Sequence, residues 1–131
     1  MKIQTANTIL YCARWQETVA FYKTGLQLKI TASFDWFVEF ALNERARLSI
    51  ADVTRSSLKT CAGQGITIAL EVEDIGASHL FLKQAGHHPQ AIRDHAWGAE
   101  VFYIYDPEGN RLEFWSPKKR NTGESPASQK G

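Results

Sequence analysis

The residues best suited to chemistry lie in one stretch near the end of the chain, AEVFYIYDPEGNRLEFWS at positions 99–116. Glu113 sits within a β-rich run, where its carboxylate could act as a general base or orient a ligand, with the Tyr103 phenol as its partner. The alternative is a sheet-surface carboxylate paired with Arg111 or Arg47. The four histidines do not suggest a metal site. His79 belongs to a helix, His87 and His88 to a helix-to-strand turn, and none shows the i, i+4 geometry of a helical zinc pair. Those three read as surface residues. His95 and Trp97, in the loop entering the last hairpin, read equally well as a pocket rim or as packing. Cys12 and Cys61 are too few and too irregularly placed for a disulfide framework or a zinc knuckle, and both are expected to stay reduced.

A hairpin must position this chemistry. Runs 101–105 and 111–115 flank Asp106, Pro107, Glu108, Gly109 and Asn110, where proline presets φ and glycine and asparagine tolerate positive φ. Folding back about that turn sets Tyr103 opposite Glu113 and Tyr105 opposite Arg111. Strand alternation then groups Val101, Tyr103, Tyr105, Arg111, Glu113 and Trp115 on a mixed face. Phe102, Ile104, Leu112 and Phe114 form a wholly apolar face, which is the core side.

Upstream, 7–13 reads as a strand and 15–23 as a helix with Val19 and Tyr22 on one side, ended by Gly25. Strands follow at 26–34, 35–42 and 46–51, with a turn at 43–45. The polar stretch 52–64 has no apolar period and connects two halves. Residues 66–72 alternate strictly and form a strand. Asp74 caps a helix through Gln84 that stops at Gly86, and 88–93 is a further strand. The element order therefore repeats, and so do the residues: 37–50 lies on 101–114 without a gap, matching Arg47, Leu48 and Ile50 to Arg111, Leu112 and Phe114. Asn7 corresponds to Thr67, each followed fourteen residues later by a phenylalanine, Phe21 or Phe81. The chain reads as two copies of a βαβββ module. By the same parity Phe37, Glu39, Ala41, Arg47 and Ser49 share the mixed face, while Val38, Phe40, Leu42, Leu48 and Ile50 pack under a helix.

At 131 residues, 44% of them hydrophobic, the chain suits one domain with a real core. No span approaches the roughly 18 apolar residues of a membrane helix, and the first residues lack a signal-peptide core, so the expected compartment is the cytoplasm. Net charge is +1, but Lys118, Lys119, Arg120 and Lys130 near the end face Glu124 alone, which leaves the body weakly acidic. That balance argues against nucleic acid as a partner. Residues 117–131, rich in Gly, Ser, Pro and Lys, are expected to form a disordered tail.

DPEGNRLEFW resembles the DPxGNxxEL signature of the glyoxalase, bleomycin-resistance and extradiol-dioxygenase superfamily, also called vicinal oxygen chelate. Phe21 and Tyr22 with Gly25 and Leu26 resemble its first-helix FYxxxLG segment, here in the order GL. The resemblance spans residues 3–117. It implies an α+β fold of two tandem βαβββ modules forming a curved mixed β-sheet, with helices on the convex side and a ligand cupped on the concave face. The division it implies is a single domain at 1–116, with module one at about 5–51, a linker at 52–64 and module two at about 65–116. Members are often dimers in which both chains complete the site. In metal-using members four positions hold histidine, glutamine or glutamate; the matching residues here are Asn7, Ser49, Thr67 and Glu113. Only Glu113 fits, because amide and hydroxyl oxygens are weak ligands for a divalent transition ion. Arg14 also stands where the family usually has aspartate. The pattern resembles the metal-free branch, which includes drug-sequestering resistance proteins.

The resulting expectation is a homodimer, without nucleic-acid or membrane partners, that binds a small aromatic or amphipathic molecule in the concave cavity without metal or other cofactor. The expected ligand-binding residues are Asn7, Tyr11, Glu39, Ser49, Thr67, His95, Trp97, Tyr103, Arg111 and Glu113. Glu113 and Tyr103 are the catalytic candidates. The alternatives are a metal-dependent lyase, isomerase or dioxygenase of the same superfamily, with Glu39 and Glu113 recruiting the ion, and a ligand-free dimeric scaffold. Phe34, Trp36 and Phe37 read as core, as dimer packing or as the floor of a pocket for a flat ligand.

Overall fold

The structure, a computed structural model, describes residues 1–118. The tail expected at 117–131 lies, from residue 119 on, outside the described residues. The first module runs β1 (Ala6–Cys12), α1 (Trp15–Ala20), a π-helical turn (Phe21–Gly25), β2 (Lys29–Phe34), β3 (Phe37–Ala41) and β4 (Ala46–Asp52). After a short 3-10 turn (Val53–Arg55) the second module runs β5 (Thr67–Glu71), α2 (Ile75–Gln84), β6 (Arg93–His95), β7 (Ala99–Tyr105) and β8 (Arg111–Pro117). The strands divide into two mixed four-stranded sheets, one per module, ordered β1-β4-β3-β2 and β5-β8-β7-β6. No described helix is long and apolar enough to cross a membrane.

The repeat seen in the sequence is also a repeat of register. Glu39 pairs with Ser49 as Tyr103 pairs with Glu113, and the parallel pairs Asn7–Arg47 and Thr67–Arg111 occupy matching places. Burial alternates strictly along β8. Val38, Phe40, Leu48, Ile50, Phe102, Ile104, Leu112 and Phe114 are all buried in one cluster shared by both modules. Ile68 and Leu70 are only half-buried, because β5 is the edge strand of its sheet. Val101 departs from the parity expectation: it lies on the mixed face yet is 4% exposed, paired with Trp115 in a stretch roofed by aromatic rings.

Asp74 caps α2 as its type dictates, its carboxylate accepting from the Ala77 amide at 3.0 Å. The first helix ends differently from expectation. Leu26 donates to the Phe21 carbonyl, a five-residue closure that widens the last turn. The positive φ falls on Gln27 rather than Gly25. Gly25 is small for another reason: a Cβ there would come within 2.9 Å of the His87 ring. His87, expected at the surface, is half-buried, with Nε2 3.1 Å from the Gly25 carbonyl and its ring edge-on to Phe21. The strand expected at 88–93 forms later and shorter, as β6.

The DPEGN turn joins the modules. The Asp106 carboxylate accepts four hydrogen bonds: from the Glu108 and Asn110 amides, from the Asn110 side chain, and from the Tyr22 hydroxyl at 2.7 Å. Glu108 accepts from the Ala13 and Arg14 amides at 2.9 and 2.8 Å and from the Thr60 hydroxyl at 2.6 Å. A carboxylate of the second module thus serves the entrance of α1 in the first, where negative charge is favoured by the helix dipole. The 52–64 connection is held to the same turn, since a Cβ on Gly63 would meet the Gly109 carbonyl oxygen at 2.1 Å.

Burial pushes the Glu108 carboxyl upward, but the hydrogen bonds from Thr60, Arg14 and Ala13 outweigh it, and its pKa lies below the ordinary 4.5. A carboxyl lowered by folding stabilises the native state fully above its unfolded value and loses that contribution as pH falls through the folded one. Glu108→Gln should therefore destabilise the protein most at neutral pH, with a deficit that shrinks as pH drops below about 4.5. Paired melts of the two proteins across pH measure this, and a deficit independent of pH would contradict it.

Candidate functional site

On the mixed face of the first sheet, β1, β3 and β4 bring Asn7, Glu39 and Ser49 together. Ser49 donates to the Asn7 side-chain oxygen at 2.8 Å, and the Asn7 amide reaches a Glu39 oxygen at 3.5 Å. The other Glu39 oxygen accepts from Thr31 at 2.7 Å and stands 3.9 Å from Arg47. Thr31 reaches it because β2 carries a bulge between Ile30 and Ala32, which shifts the strand's parity. Tyr11, half-buried, follows Asn7 on the same side of β1.

On the second sheet Arg111 donates to the Thr67 hydroxyl at 2.9 Å, and its guanidinium lies 4.7 Å from the centre of the Tyr103 ring. Glu113 stands opposite Tyr103 in the register, half-buried. Among the described residues it has no hydrogen bond or ion pair, because Arg111 turns to Thr67 and Arg47 to Glu39 and the carbonyls of Asn43 and Ala46. Beyond it Trp97 meets Trp115 edge-on at 5.2 Å, with His95 5.5 Å from Trp97; both His95 and Trp97 are exposed. The ten candidate residues therefore form two groups, one per sheet, and no hydrogen bond or ion pair among the described residues joins one group to the other.

Sequence reasoning did not single out Thr31 or Trp115 for this site. No local signal marks the bulge that aims Thr31, whereas Trp115 was already on the mixed face by parity. Of the four residues matched to the family's metal pattern, two are already engaged, the Asn7 oxygen by Ser49 and the Thr67 oxygen by Arg111, which leaves Glu113 as a lone carboxylate. The fixed guanidinium charge would also repel a divalent cation. This set does not fit a transition ion, and no three His, Cys, Asp or Glu side chains come together among the described residues. Nor is there a thiol nucleophile in Cys12. Burial first, and then the charges of Glu108 and Asp106, push it up to about 12, so it stays protonated.

Tandem βαβββ modules, each with an apolar face under a helix and a mixed face opposite, define the vicinal oxygen chelate fold class. The sequence profile of the glyoxalase-like domain matches residues 5–117, and the chain belongs to that family. Among solved structures, a glyoxalase/bleomycin resistance protein/dioxygenase from Nocardioides superposes with a TM-score of 0.74 at 17% identity, covering 95% of this chain and 89% of that one. A lactoylglutathione lyase from Agrobacterium tumefaciens gives 0.69 at 18% identity, covering 85% and 91%. A glyoxalase/bleomycin resistance protein from Catenulispora acidiphila gives 0.65 at 18%, covering 86% and 95%. At such identities the likeness is one of fold. No curated protein matches the sequence.

Proposed function

We propose that the protein binds a small aromatic or amphipathic organic molecule against its mixed sheet faces, without a metal, and does so as a homodimer. The observation that carries this reading is Arg111. It lies over Tyr103 and is tied to Thr67, one of the four residues matched to the family's metal pattern, and so brings a fixed cation to that residue. Farther along the same face Glu113 offers an uncommitted carboxylate, and Trp97, against Trp115 at the strand's other end, an exposed ring, so the face offers both hydrogen-bonding and stacking partners. The dimer is supported by the exposed aromatic group at the β2–β3 turn, where Phe34 is 58% and Trp36 38% exposed and their rings stack at 6.3 Å. The two free thiols fit a reducing compartment, the cytoplasm.

Glu113→Gln keeps the shape and removes the charge. It should weaken ligand binding roughly ten- to a hundredfold, the equivalent of about 1.5–3 kcal/mol for a hydrogen bond to a charged group, and leave the melting temperature nearly unchanged. A thermal-shift screen of aromatic and amphipathic compounds, run with and without divalent ions, finds the ligand on which this is measured. Loss of stability with binding intact would make Glu113 a structural residue. Stoichiometric zinc, nickel, iron or manganese bound by Asn7, Ser49, Thr67 and Glu113 would replace this reading with the metal-dependent lyase, isomerase or dioxygenase.

A further inference from the structure

The repeat makes two turns equivalent, and the two behave differently. In module two Asp106 meets Tyr22 and Glu108 closes on the entrance of α1. By the same alignment module one has Leu42 and Glu44 in those places and Leu82 in the place of Tyr22, and Leu42 and Leu82 line one cavity beside the entrance of α2. That entrance carries Glu73 and Asp74 and is capped from within by Asp74, where the α1 entrance takes the Glu108 carboxylate of the other module. Where the counterpart turn is latched, this one borders a cavity of about 460 Å³. Leu26, Leu28, Leu42, Leu70, Leu112 and Phe114 line it, on the sheet side opposite Arg111 and Tyr103. Its inner wall is buried Leu48, Leu82 and Leu112, while Glu73, Asp74, Ala77 and Phe81 on its outer wall are exposed and mark the mouth.

We propose that this cavity is a second binding site, one that takes an aliphatic chain bearing a cationic head group. A largely apolar lining of this extent favours an apolar occupant. Asp74 commits an oxygen to the Ala77 amide, whereas Glu73 has no hydrogen bond or ion pair among the described residues. The uncompensated charge at the mouth is therefore negative, which attracts an ammonium and repels a carboxylate. The site is separate from the mixed-face site and does not depend on it.

Decylamine, decanol and decanoate, each below its aggregation concentration, test this by calorimetry and by methyl NMR of the full chain. Decylamine should bind one to one, shift the methyl resonances of Leu70, Val72 and Leu112, and bind at least tenfold more tightly than decanoate, with decanol between. Glu73→Gln should remove the preference of amine over alcohol. Ala77→Phe, at an exposed helix position, should keep the fold by circular dichroism and weaken decylamine more than tenfold. The proposal is overturned if no probe shifts those methyls saturably, or if decanoate binds as tightly as decylamine. It also fails if the shifts fall only around Arg111 and Tyr103, which would leave the mixed-face reading standing. If Ala77→Phe breaks a dimer instead of blocking decylamine, the occupant is a second copy of the chain.

Discussion

Replacing Asp106 with alanine is expected to destabilise the protein by about 3–5 kcal/mol. Its carboxylate is 5% exposed and accepts from four donors. Deleting it leaves the Tyr22 hydroxyl and the Asn110 side chain, which are 0% and 2% exposed, without an acceptor. A buried donor left unsatisfied costs about 1–3 kcal/mol, and the turn amides add to that sum. Burial, then the charge of Asp106, raises the Tyr22 phenol well above its usual pKa, so it remains a donor at any ordinary pH. Denaturant unfolding with an unchanged slope should report the loss. Combining the change with Tyr22→Phe should cost less than the two separately, because the shared bond is removed once. A loss under about 1 kcal/mol would mean that water replaces the carboxylate, and the turn would not be a buried junction.

Phe114→Ala should cost a similar amount, about 3–5 kcal/mol, for a different reason. The ring is 8% exposed and stacks on Phe102 at 5.1 Å with the planes nearly parallel, 9° apart. It also forms part of the wall of the helix-side cavity, so its removal enlarges a space already present. Neighbouring side chains then have less opportunity to collapse inward, which places the loss toward the upper end of that range. Chemical denaturation measures it, and a value below about 1 kcal/mol would show that Phe114 is not part of the core.

Much of the fold was legible because it depends on local rules. Alternation located the apolar faces, the repeat fixed the register of β3 against β4 once β7 against β8 was read, and Asp74 announced the start of α2. What escaped depended on contacts between distant parts. Glycine at position 25 reads as a helix stop, yet its small size serves the His87 ring from the other module. Val101 follows parity in direction but not in exposure: Trp115 lies across the hairpin from it, and Trp97, from the loop before β7, packs on the Trp115 ring. The acids of DPEGN read as turn formers, and nothing nearby in sequence reveals that Ala13, Arg14 and Tyr22 are their partners. The candidate site was legible as a set of faces, but which polar atoms would engage one another, leaving Glu113 unpaired, was not.

The Glu108 junction draws on three separate parts of the chain: the entrance of α1, Thr60 in the connection, and the last hairpin. Its consequence concerns cooperativity. Although the sequence is a duplication, the entrance of α1 is completed by Glu108 of the other module and the Asp106 turn by Tyr22, so each half of the junction holds groups that the other satisfies. Opening one module would leave the amides at α1, or the Glu108 carboxylate, to water, and would split a core cluster built from both. The repeat therefore does not yield two independent folding units: the halves form one foldon, and exchange of the Ala13 and Arg14 amides follows global unfolding rather than local fraying.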